Sequence, residues 1–123
     1  MAKNAMPVSK AKTAYGLLSE IKRLIVNDPE HYDQQICWRH SGCGTVCCVG
    51  GWVVMLKAPR TRDGNRLTRA EKILGLDWDT GTELWQFNAA GNRADRRAHA
   101  ERGAAHIARF QKKYAAQLKA KRV

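Results

Sequence analysis

Eleven consecutive apolar or glycine residues, 46–56, limit the folds open to this chain of 123 residues. The run is too short to cross a membrane, which takes about 20 residues, so it must be buried in a folded domain. A helix capped by Thr45 would be apolar on every side, whereas a hairpin over 46–55 would turn at Gly50 and Gly51. We favour the helix because no other segment offers strands to complete a sheet.

Helical periodicity surrounds this run. After Ser9 as the cap, apolar residues recur at spacings of three and four as far as about Val26, and Asn27 ends the helix. Its predicted apolar face consists of Ala14, Leu18, Ile21 and Ile25, widened by Leu17 and Leu24.

Two short helices are predicted after residue 67 by pairs with capping-box spacing. Thr68 pairs with Glu71 in the first, which stops at Gly75. Thr80 pairs with Glu83 in the second, which continues to a stop at Gly91.

The last predicted helix spans 93–119, with a fraying end at 119–123. Its apolar side consists of Ile107, Phe110, Tyr114 and Leu118, and cations occupy the opposite side. The expected architecture is all-α: a flexible start at 1–8, a helical core domain at 9–92 and a long basic C-terminal helix at 93–123 packed on that core. The alternative is an α+β domain with the short hairpin.

Positive charge is the most unusual feature of the composition. The net charge is +11, and residues 93–123 alone carry ten cations against two carboxylates. Residues 77–92, by contrast, carry three carboxylates and no Lys or Arg. A field this positive attracts nucleic acid or an acidic protein surface. The candidate contact residues are Arg60, Arg62, Arg66 and Arg69 in a loop and Arg102, Arg109, Lys112 and Lys113 on the last helix.

A helix-turn-helix over 68–87 has suitable lengths. Its second helix, however, would carry Asp79 and Glu83 toward the phosphates and repel them. We therefore interpret these helices as structural.

The cysteines cluster between residues 37 and 48. Cys37, His40, Cys43 and Cys47 have ligand types suited to zinc, but they lack the long spacer that usually separates two ligand pairs. A catalytic Cys47 with His31 or His40 as its base is a further alternative. Burial of Cys47 and Cys48 in the core is the interpretation we favour, with no cofactor and no catalytic residue.

Other residues suited to a site have plainer interpretations. His99 and His106 lie seven residues apart on the last helix, too far to share a metal, and are expected to be solvated. Trp52 is expected in the core, and burial is also favoured for Trp38 and Trp85 over partner contacts.

The segment 43–52 resembles a signature, C-G-T-x-x-C-x-x-G-W, of a group of uncharacterised small bacterial and phage proteins. Cys43, Gly44 and Thr45 open it, Cys48 is its second cysteine, and Gly51 with Trp52 closes it. The resemblance covers roughly 28–90. It implies a helical fold and a phage or mobile-element context, and it carries over no catalytic residue.

These observations predict a small non-enzymatic protein that binds nucleic acid through its arginine and lysine surfaces. The first alternative is a phage-type inhibitor of a host defence complex, such as a CRISPR ribonucleoprotein. The second is a zinc- or cysteine-dependent protein. The first twelve residues contain no apolar signal segment, so we expect a cytoplasmic location in a prokaryotic or phage-infected cell, with reduced thiols.

Overall fold

The computed structural model describes residues 9–34, 39–41, 44–46, 48–57, 66–86 and 95–123, with only the backbone for 39–41, 44–46 and 66. These residues form helices α1 (Ala14–Asn27), α2 (Val49–Lys57), α3 (Arg66–Leu74), α4 (Trp78–Trp85), α5 (Arg96–Lys113) and α6 (Ala115–Ala120), a 3₁₀ turn (Pro29–His31), and strands β1 (Arg39–Ser41) and β2 (Gly44–Val46). The prediction of an all-α domain with a long basic helix near its C-terminal end is confirmed.

The predicted apolar face of α1 is confirmed. Ala14, Leu17, Leu18, Ile21 and Ile25 are all fully buried, and the face packs chiefly against α5. The cap is Thr13 rather than Ser9, because the Thr13 hydroxyl accepts the amide hydrogen of Gly16 at 3.1 Å. Ser9 instead donates its own amide hydrogen to the carbonyl of Leu56, which ties this segment to α2.

The apolar run forms the helix α2, and the alternative hairpin over 46–55 is wrong. Trp52, Val53, Val54 and Leu56 are all buried. The helix begins at Val49, so the predicted cap at Thr45 is also wrong: Thr45 lies in β2, opposite His40 of β1. This antiparallel ribbon of two three-residue strands precedes α2 and was not predicted.

Close packing explains how α2 accommodates its glycines. A Cβ at Gly50 would collide with the side chain of Leu67 on α3 and would lie 3.6 Å from the ring of Trp85. The glycine therefore allows α3 to approach closely, which offsets its weak helix propensity.

Both predicted capping boxes are wrong. Thr68 lies inside α3, where Glu71 accepts a hydrogen bond from the Trp85 indole at 3.1 Å. The cap of α4 is Asp77, whose carboxylate accepts the amide hydrogen of Thr80 at 2.7 Å. The predicted stop at Gly75 is confirmed by its φ of 71°, a conformation that favours glycine, whereas Gly91 lies outside the described residues.

The last helix is interrupted where a continuous one was predicted. Tyr114 leaves helical geometry (φ −115°, ψ 29°), and α6 continues from there to pack Leu118 against α1. The following residues do not fray. The Lys121 carbonyl accepts the Ala14 amide hydrogen at 2.9 Å, and the Val123 amide donates to the Lys12 carbonyl at 3.1 Å.

Among the described helices, none combines the length and apolar character needed to span a membrane.

Candidate nucleic-acid interface

Helix α5 has a buried side and an exposed, cationic side. The buried side consists of His99, Ala100, Gly103, Ile107, Phe110 and Gln111. Arg102, Arg109, Lys112 and Lys113 are exposed and lie within an arc of about 100° on the other side. We call these four residues the basic face of α5.

The dimensions of the basic face suit a polyanion. Arg102 and Lys113 are eleven residues apart, which corresponds to about 16 Å along a helix. A nucleic-acid strand advances about 3.4 Å per nucleotide along its duplex axis, so the face spans roughly five nucleotides. Because a helix fixes the spacing of its side chains, the cations need little ordering to meet consecutive phosphates.

The four cations differ in their surroundings. The side chains of Arg109 and Lys112 form neither a hydrogen bond nor an ion pair with any residue that the structure describes. Lys113, by contrast, donates to the Glu83 carboxylate of α4 with Nζ and Oε1 2.5 Å apart. The prediction that Glu83 would repel phosphates did not take into account that its carboxylate also pairs with Lys113 and so neutralises that cation.

Glu83 lies at a small cleft between α4 and α5. The cleft has a volume of about 170 Å³ and is lined by Glu83, His106, Arg109, Phe110 and Lys113. The Tyr114 hydroxyl donates to the second carboxylate oxygen of Glu83, so both oxygens are bound. The hydrogen bond from Lys113 lowers the pKa of Glu83 most, and the hydrogen bond from Tyr114 lowers it further. The carboxylate is therefore ionised at neutral pH.

His106 is half-buried beside this carboxylate rather than solvated as predicted. Its Nε2 lies 2.9 Å from the Glu83 backbone carbonyl, which can only accept, so Nε2 carries a proton. Burial lowers the pKa of His106 below its usual 6.5, and the nearby Arg109 lowers it further, against the effect of that hydrogen bond. At pH 7 the imidazole is neutral and adds no charge to the basic face.

The structure describes only part of the second predicted basic surface. Arg60 and Arg62 lie outside the described residues, and Arg66 begins α3, with its side chain outside them. Arg69 is half-buried on α3. Helix α4, which packs against both α3 and α5, carries Asp79 and Glu83 and is capped by Asp77.

The cysteine cluster falls largely outside the described residues. Cys37, Cys43 and Cys47 lie there, and of His40 only the backbone in β1 is described. Cys48 is buried immediately before α2, as the core interpretation predicts. Within the described ranges, no three His, Cys, Asp or Glu side chains are placed to hold a metal ion.

His99 is fully buried, so the prediction that it is solvated is wrong. Its Nε2 accepts the Gln34 amide hydrogen at 3.0 Å and lies 3.7 Å from Asp33 Oδ1. Asp33 is itself buried and pairs with Arg96 at 3.3 Å. The ring of Tyr32 lies against the imidazole, with 5.1 Å between ring centroids. This cluster joins the chain after α1 to the start of α5, with Tyr32, Asp33 and His99 buried and Arg96 partly exposed.

The tryptophans divide between core and surface. Trp52 and Trp85 are buried, as favoured, and Trp38 lies outside the described residues. Trp78 is 71% exposed at the start of α4, a position that the sequence pattern did not single out.

Comparison of the chain with family models, with curated proteins and with solved structures gave no match in any of the three.

Proposed function

We propose that this protein binds nucleic acid through the basic face of α5, mainly by contacts to phosphates. The observation that carries the proposal is the pair of exposed cations, Arg109 and Lys112, on α5, which packs against α1. Neither cation has a carboxylate partner among the described residues. Because these guanidinium and ammonium groups have no ion pair with a described residue to break, they lose little free energy when they bind a phosphate.

Phosphate contacts make binding depend steeply on salt and weakly on sequence. Each neutralised phosphate contributes about 0.7 to 0.9 to the slope of log K against log salt. Three contacts, from Arg102, Arg109 and Lys112, therefore predict a slope of about −2 to −3. No base-reading element is part of the proposal, so unrelated sequences should bind alike.

The experiment is a titration of fluorescently labelled 12-nucleotide single strands and their duplexes, read by anisotropy between 50 and 200 mM NaCl. The double variant Arg109→Ala/Lys112→Ala should weaken binding and make the slope shallower by about 1.4 to 1.8. The matched control is Arg23→Ala, which removes an exposed cation from α1. A double variant that behaves like this control, or a wild-type constant insensitive to salt, would overturn the proposal.

The same charge suits an acidic protein surface, including that of a host defence complex in a phage context. Pull-down from a cytoplasmic extract at physiological salt separates the two partners. A stoichiometric protein complex that survives nuclease treatment would replace nucleic acid as the partner. Material that disappears with nuclease supports our proposal.

A further inference from the structure

The two side chains that donate hydrogen bonds to the Glu83 carboxylate are arranged in a way that suits a phosphate group. Lys113 Nζ binds one carboxylate oxygen at 2.5 Å, the Tyr114 hydroxyl binds the other, and Arg109 is one of the residues that line the adjacent cleft. A charged ammonium, a phenol and a free guanidinium can all donate to phosphate oxygens. Among the described residues, the anion that Lys113 and Tyr114 bind is the carboxylate of Glu83.

We propose that Lys113, Tyr114 and Arg109 form a phosphate-binding site in which the Glu83 carboxylate acts as an internal competitor. The inference rests on the proposed function and adds a control element to it. A backbone phosphate can take these hydrogen bonds only when the Glu83 side chain has turned out to solvent, so in the wild type the carboxylate keeps the site mostly closed to phosphate.

The surroundings of Glu83 allow this exchange. Its backbone is held in α4, where the carbonyl accepts from His106. Its side chain, however, is 38% exposed and has a free path to water. The carboxylate can therefore leave while α4 stays in place. Because His106 is neutral, it does not hold the Glu83 carboxylate by charge. The positive charge of the site then comes from Lys113 and Arg109.

The Glu83 carboxylate determines how much Lys113 contributes to phosphate binding. In the wild type Lys113 is already neutralised, so it adds little to phosphate binding. Once Glu83 loses its charge, Lys113 becomes one more phosphate contact. The salt slope then steepens by about 0.7 to 0.9, beyond any general effect of net charge.

The test compares Glu83→Gln with Asp79→Asn in the same anisotropy titration. Both variants remove one carboxylate from α4, but Asp79 is exposed and is not among the residues that line the cleft. We expect Glu83→Gln to bind roughly 1.4- to fivefold more tightly, the range for one exposed charge pair, with the steeper slope. Asp79→Asn should keep the wild-type slope. Equal slopes for the two variants would overturn the inference.

A second variant tests whether the tighter binding of Glu83→Gln comes instead from a loosening of α4. Adding Lys113→Ala to Glu83→Gln should return both the affinity and the slope to wild-type values. A gain that persists without Lys113 contradicts the proposed site.

Inorganic phosphate separates this inference from the proposed function. In an NMR titration, the amide signals of residues 109–114 should saturate at a lower phosphate concentration in Glu83→Gln than in the wild type. That result supports the site even if the wild type fails to bind nucleic acid. Identical phosphate titrations in the two proteins would overturn the site even if nucleic acid binds.

Discussion

The Gln34 amide donates its hydrogen to Nε2 of His99, 65 residues further along the chain, across 3.0 Å in a site that excludes the imidazole from solvent. Since Nε2 acts as the acceptor, the neutral ring carries its proton on Nδ1. The side chain of Gln34 extends the connection: its Oε1 accepts from Tyr32, and its Nε2 donates to the Trp85 carbonyl. One glutamine thus links the 3₁₀ region, α4 and α5.

Replacing His99 should therefore be costly. We expect His99→Phe to lower the free energy of unfolding by about 1–3 kcal/mol, because it leaves the Gln34 amide hydrogen without its acceptor. Urea denaturation followed by circular dichroism measures this loss. The control His31→Phe removes a pair with the partly exposed Asp28 and should cost less than about 1 kcal/mol. Equal losses in the two variants would contradict the buried role of His99.

Gly103 should not tolerate a side chain. A Cβ there would collide with the hydroxyl end of the Tyr32 ring, which is fully buried and cannot move aside. We expect Gly103→Ala to destabilise the protein by about 1–3 kcal/mol, the usual cost of overpacking. Gly16→Ala is the control, since its nearest neighbours lie at 3.4 Å and beyond. Thermal unfolding should show a loss only for Gly103→Ala, and Tyr32→Phe should partly rescue it by removing the hydroxyl.

His106 should make stability depend on pH. Its pKa is lowered in the native state, so between that value and about 6.5 the unfolded chain binds more protons than the folded chain. Stability therefore rises with pH across this window and is lost as the pH falls below about 6.5. We expect unfolding free energies measured from pH 7 to pH 5 to decline less steeply in His106→Gln than in the wild type. Parallel curves for the two proteins would show that His106 does not cause the decline.

Gln111 should be sensitive to an isosteric change. It is buried between α5 and α1, where its Nε2 donates to the Tyr15 carbonyl and the Ser19 hydroxyl. Gln111→Glu places a carboxylate against that carbonyl, and we expect a loss on the order of 3 kcal/mol at pH 7, as for other uncompensated buried charges. Burial raises the pKa of such a carboxyl, so stability should recover toward pH 4. Gln117→Glu, at an exposed position, should show neither effect in denaturant titrations.

The sequence predicted features that depend on neighbouring residues. The apolar face of α1 is set by spacing alone, and burial of α2 follows from a run that is apolar on all sides. The positions of Arg102, Arg109 and Lys112 opposite the buried side of α5 follow from the same periodicity.

Features that depend on distant partners were missed. Both Thr–Glu pairs have capping-box spacing, yet Glu71 binds the Trp85 indole and Glu83 binds Lys113. Likewise, His99 looks like any polar residue on a basic helix until Gln34 and Asp33 are seen against it. No local pattern carries this information, because the packing of α5 against the rest of the chain creates these contacts.

The pairing of residues 121–123 with 12–14 affects how the chain acquires its structure. The first described helix finds its main partners, α5 and α6, roughly 85 to 100 residues later. Bringing such distant segments together carries a loop-closure cost and slows folding. During synthesis the part of the apolar stripe of α1 that packs on α5 and α6 therefore stays uncovered until these two helices leave the ribosome. A shortened chain that ends before α5 would keep that stripe exposed and would be prone to aggregate.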